Sequence, residues 1–164
     1  MPTPTADPSA PPTPSLYWED FNVGQVREFG HYAVTREAVI AFAREFDPQP
    51  FHLDDVAAER SLFGRLAASG WHTCAMAMRM MCDGYLGEAA SLGSPGLDSI
   101  RWTNPVYPGD TLRLRLTVLE TRPLASRPTV GIVRSHWNVM NQDGVTVLTM
   151  EGYGFFGRRN PATP

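Results

Sequence analysis

The amino-acid sequence predicts an α+β domain in which one long apolar helix fills the concave face of a curled antiparallel sheet. Three observations carry that prediction. Residues 70–90, GWHTCAMAMRMMCDGYLGEAA, place Trp71, Cys74, Ala75, Met78, Met81, Cys82 and Tyr85 at three- and four-residue steps, one stripe of an α-helix. From Asp110 onward the apolar period falls to two, with Leu112, Leu114, Leu116 and Val118 alternating with Arg113, Arg115 and Thr117. Short turns, Tyr107-Pro108-Gly109-Asp110 and Asn141-Gln142-Asp143-Gly144, separate the strand-like stretches, so successive strands run antiparallel.

In chain order, residues 1–15 form a Pro/Thr/Ser/Ala tail whose composition predicts disorder. It has neither a basic start nor an apolar run, so it reads as neither a signal peptide nor a membrane anchor. The folded domain is expected over 16–157. Residues 26–34 are compatible with a strand, Thr35 is an N-cap, and Val39, Phe42, Ala43 and Phe46 mark a short helix. A helical turn or two follows His52 and stops at Gly64. The long helix is apolar on most sides but interrupted by Arg79, Asp83 and Gly84, so it reads as a wrapped core helix with a methionine-rich filling and not as a membrane span. SIRWTNPV is a short strand, two more strands meet at Asp143-Gly144, and residues 158–164 read as a polar tail.

Composition narrows the function classes. With 164 residues, 43% of them hydrophobic, the chain can bury a core without staples. A net charge of -3 leaves no basic excess for nucleic acid or an anionic membrane. Cys74 and Cys82 lie eight residues apart on one helix, roughly 12 Å along its axis, too far for a disulfide within it. No Cys/His cluster has zinc-finger spacing, and reduced cysteines predict a cytoplasmic protein.

Chemistry concentrates in residues 42–73. Asp47-Pro48-Gln49-Pro50 must be an extended or turning loop, because each proline disfavours helix in the residue before it. The loop, not a helix face, therefore aims Asp47 and His52. An acid and an imidazole on a stiff loop suit proton transfer. Spacing alone nevertheless favours a structural reading, in which Asp47 caps the next element and His52 packs or lies on the surface.

Asp47-Pro48-Gln49-Pro50-Phe51-His52 resembles the D-x-N-P-x-H signature of the MaoC-like, or (R)-specific, enoyl-CoA hydratases, which have the hot-dog fold. Ala67-Ala68-Ser69-Gly70-Trp71 resembles the family's glycine-led start of the central helix, and Pro105-Val106-Tyr107-Pro108-Gly109-Asp110-Thr111 its Pro-Val-x-x-Gly-Asp-Thr turn. The resemblance implies reversible hydration of a trans-2-enoyl thioester of coenzyme A or an acyl-carrier protein, without metal or other cofactor, by a homodimer or higher homo-oligomer. Under it Asp47 and His52 activate the water and supply a proton, and the Gly70 N–H meets the thioester carbonyl. Gln49, Phe51, Ser69, Trp71 and His72 are the expected substrate-binding residues. Gln49 departs from the usual Asn and Ser69 from the usual His; Ser69 also reads as a helix N-cap, and His72 either as a third acid-base group or as a residue that packs or hydrogen-bonds beside Trp71. Arg101, Arg113, Arg115 and Arg134 are either contacts for coenzyme A phosphates or a solvated strand face. His31 and His136 read as structural. A hot-dog thioesterase and a non-catalytic acyl-thioester binder remain as alternatives.

Overall fold

The computed structural model describes residues 13–160. Strand β1 (Val26–Ala33) leads through Thr35 into helix α1 (Arg36–Phe46), and the Thr35 side chain accepts a hydrogen bond from the Ala38 N–H. That bond satisfies one of the N–H groups a helix start leaves unpaired. A 3-10 turn at Pro50–His52 follows, then the short helix α2 (Asp55–Glu59), capped by Asp54. Helix α3 (Gly70–Met81) starts at Ser69 and continues through a π-helical turn, Cys82–Leu86.

Four strands complete the fold: β2 (Gly96–Trp102), β3 (Thr111–Pro123), β4 (Val130–Met140) and β5 (Thr146–Gly157). The sheet order is β1-β3-β4-β5-β2, every pair antiparallel, with β1 and β2 at the edges. The expected alternation in β3 is present, with Leu112, Leu114, Leu116 and Val118 all buried. The Asp143-Gly144 turn joins β4 to β5; Asn141 accepts from the Asp143 and Val145 N–H groups, and Gly144 takes φ +77°, where a side chain would be strained.

The side chains that the long helix buries are mostly not those of the stripe that periodicity picks out. His72, Thr73, Met76, Ala77, Met80, Met81 and Tyr85 are buried, whereas Trp71, Ala75, Met78 and Cys82 are exposed and Cys74 is half-buried. Only Met81 and Tyr85 belong to both sets. A helix apolar on most sides carries no polar face to fix its rotation. Rotation is set by its partners: α1 takes the His72 side, while the leucines of β3 share the core with Met76 and Met80.

Both ends of the domain are tied down where described. Ser15 and Leu16 donate backbone hydrogen bonds to the Glu88 carbonyl. In the stretch expected as a polar tail, Arg158 lies over the Trp18 ring at 5.0 Å, and Arg159 pairs with Asp20 at 2.7 Å. The rest of the two expected tails, residues 1–12 and 161–164, lies outside the described residues.

Candidate active site

The two prolines do what the loop requires. Asp47 closes α1, its N–H still bonded to the Ala43 carbonyl but its backbone already out of the helix at φ −150°, ψ 68°. Pro50 opens the 3-10 turn, a position that needs no N–H, and His52 ends it. This short path folds the Asp47 and His52 side chains back toward each other, with Oδ2 and Nε2 3.5 Å apart. His52 is buried, and its Nδ1 lies 2.8 Å from the Ala67 carbonyl oxygen. A carbonyl only accepts, so Nδ1 carries the proton and Nε2 of the neutral ring presents a lone pair toward Asp47.

Asp47 is held from two sides. The Ser69 hydroxyl donates to Oδ2 at 2.6 Å and the Gln49 amide donates to Oδ1 at 2.7 Å. Burial pushes its carboxyl up, but the bonds from Ser69 and Gln49 and the neighbouring His52 outweigh burial, and the group sits below the usual aspartate range. Ser69 also accepts from the Trp71 N–H at 3.2 Å, so it caps α3 and clamps the carboxylate at once.

Asp47, Gln49, Phe51, His52, Gly70 and Trp71 all line one cleft of about 410 Å³. Ser69 lies behind it, fully buried. His72 turns away: it is buried and stacked on Phe42, ring centroids 4.6 Å apart, and burial pushes its pKa down. Phe63, Thr73, Trp102 and Asn104 also line the cleft and were not singled out from the sequence. Trp102 comes from the far edge of the sheet, and no local motif marks it. Its indole N–H donates to the Gly70 carbonyl at 2.8 Å, and a Cβ on Gly70 would lie 2.7 Å from the ring, so any side chain there would force the indole aside.

Trp71 also borders a second, apolar cavity of about 380 Å³ between α3 and the sheet, lined by Cys74, Met78, Met81, Ile100 and Trp137 among others. Among the described residues no group of three or more His, Cys, Asp or Glu side chains is arranged to hold a metal ion, and no helix is long and apolar enough to cross a membrane.

A family model described as "MaoC like domain" matches residues 20–139, which span the Asp47/His52 loop, α3 and most of the sheet. The chain belongs to the MaoC-like family. The chain is 31% identical over 134 residues to the uncharacterised protein YdeM of Bacillus subtilis (strain 168), covering 81% of this chain and 93% of that one. The crystal structure of the MaoC-like dehydratase from Rhodospirillum rubrum is 42% identical, with a TM-score of 0.83 over 89% of this chain and 99% of that chain. The R-hydratase PhaJ1 from Pseudomonas aeruginosa, in its unliganded form, is 26% identical, with a TM-score of 0.70 over 88% of this chain and 87% of that chain. The MaoC-like assignment is thus one to a hydratase and dehydratase family with the hot-dog fold.

Proposed function

We propose that the protein adds water across the double bond of a trans-2-enoyl thioester, or removes it from the 3-hydroxyacyl product, at the Asp47/His52 pair. The observation that carries this reading is the disposition of that pair. With Nδ1–H committed to Ala67, the Nε2 lone pair and the Asp47 carboxylate both accept, and a single water can donate one O–H to each. Asp47, its pKa lowered, stays ionised and is the weaker base. His52 Nε2 therefore takes the water proton as the oxygen bonds to C3, and the carboxylate beside it stabilises the imidazolium that forms.

As the C3–O bond forms, the C2–C3 π electrons move toward C2 and the thioester oxygen, creating an enolate. The start of α3 suits this charge, because its first N–H groups lack intrahelical acceptors and the helix dipole favours negative charge. Ser69 takes the N–H of Trp71, which leaves that of Gly70 for the oxyanion. The proton on His52 Nε2 then passes to C2, the enolate collapses to the thioester, and the imidazole is neutral again. Phe51 and Trp71 supply apolar walls, Gln49 and Ser69 hold the carboxylate, and the cavity beyond Trp71 receives the acyl chain.

Loss of enoyl-CoA absorbance tests the reading. Wild type is expected to hydrate crotonyl- or octenoyl-CoA, and Asp47→Asn and His52→Ala each to lose about 10²- to 10⁴-fold in kcat, the range for a positioned acid-base group. Release of free thiol from a saturated acyl-CoA, or full activity in both variants, overturns it.

A further inference from the structure

Resting on the hydratase reading, we propose that Arg65 binds a phosphate of the thioester's carrier at the mouth of the cleft. The guanidinium carbon of Arg65 lies over the Tyr107 ring, 3.8 Å from its centroid. The Tyr107 hydroxyl donates to the Phe63 carbonyl at 3.0 Å, and Phe63 and Val106 are both walls of the cleft. The contact seats the cation beside two wall residues of the cleft, and Arg65 is exposed, so solvent reaches its N–H donors. No carboxylate or carbonyl among the described residues pairs with them. A planar, pre-ordered fork of donors matches two oxygens of one phosphate.

The other candidate arginines are placed differently. Arg115 is paired with Glu28, and Arg134 with Asp98 and Glu151. Arg101 adjoins Trp102 on β2; alternate residues of a strand face opposite sides, so with Ile100 and Trp102 turned to the two cavities, Arg101 faces away from them. Arg113 lies near Gly144, at the hairpin turn, and borders neither cavity.

The distance also fits. Arg65 and Gly70 are five residues apart, at most about 17 Å of extended chain. The pantetheine arm runs about thirteen bonds from sulfur to phosphorus, equivalent to a little over four residues, roughly 14 Å when extended. A thioester carbonyl at Gly70 thus leaves the first phosphate within reach of Arg65. Coenzyme A and the prosthetic arm of an acyl-carrier protein both carry that 4′-phosphate; only coenzyme A adds further phosphates.

The experiment compares wild type, Arg65→Ala and Arg65→Lys on three enoyl thioesters: those of coenzyme A, of 4′-phosphopantetheine, and of N-acetylcysteamine, which has no phosphate. Arg65→Ala is expected to lower kcat/KM about tenfold on coenzyme A, mainly through KM, and to leave the N-acetylcysteamine ester within twofold; Arg65→Lys recovers part of the loss. A matching loss on the phosphopantetheine ester assigns the contact to the 4′-phosphate, and a loss confined to coenzyme A assigns it to the nucleotide phosphates. Equal losses on all three esters, or none, overturn the proposal. If wild type turns over none of them, the hydratase reading fails, and calorimetric titration with coenzyme A still decides: the proposal stands if Arg65→Ala weakens binding about tenfold and falls if affinity is unchanged or absent.

Discussion

Ser69 joins structure to chemistry through one oxygen. Its hydroxyl accepts from the Trp71 N–H while its proton goes to Asp47, so the cap of α3 and the tuning of the carboxylate are the same contact. Ser69→Ala removes both functions. Cap losses cost about 0.5–2 kcal/mol, and a shift of that size is expected in chemical unfolding. The second effect has a definite sign. Asp47 has a lowered pKa because its hydrogen bonds and His52 outweigh burial, so the ionised form persists below the usual aspartate range. Without Ser69, burial counts for more and the pKa rises. The acid limb of the kcat/KM profile is therefore expected to move to higher pH in Ser69→Ala. An unmoved limb with the same loss of stability would leave Ser69 as a cap alone.

Helix α3 shows what periodicity resolves and what it does not. Its existence and start were legible because Ser69-Gly70 opens an apolar stretch that only Arg79, Asp83 and Gly84 interrupt. Its rotation was not, since methionine and alanine recur on nearly every side and only tertiary contacts choose among them. The strands were easier: a polar residue at every second position fixes the face of β3 outright. The site divides in the same way. Asp47 and His52 sit on one short loop, and the sequence itself brings them together. Trp102 reaches the cleft from chain more than thirty residues beyond α3's first residue, through sheet pairing that no local spacing records. Met80 and Cys82 test the observed rotation. Met80→Ala is expected to cost about 2–5 kcal/mol, as for a buried side chain, whereas Cys82→Ser stays within about 0.5 kcal/mol. Urea unfolding of both variants gives the comparison, and the reverse order would restore the stripe read from spacing.

At the scale of the whole molecule, the end of α3 couples folding to alkaline pH. Tyr85, in the π-helical turn, is buried against Phe21 and Phe29, with ring centroids 6.3 and 5.7 Å away, and its hydroxyl contacts Met81 Sδ at 3.8 Å. Burial pushes its pKa up from the ordinary 10 to about 12. The unfolded chain then gives up the phenolic proton more readily than the folded one. Stability from this group is complete below about pH 10 and is lost as pH rises from there through about 12, reaching about 3 kcal/mol at roughly 1.4 kcal/mol per unit. Phe lacks the titrating proton and keeps the ring. Tyr85→Phe is therefore expected to unfold in urea near the wild-type midpoint at pH 7 and above it at pH 11.5. Because α3 carries the Gly70 end of the cleft on the same rigid element, loss of the Tyr85 anchor in wild type is expected to reduce activity over the same alkaline range in which the urea midpoint falls. Equal midpoints for the two proteins at pH 11.5 would mean that Tyr85 ionises without opening the core.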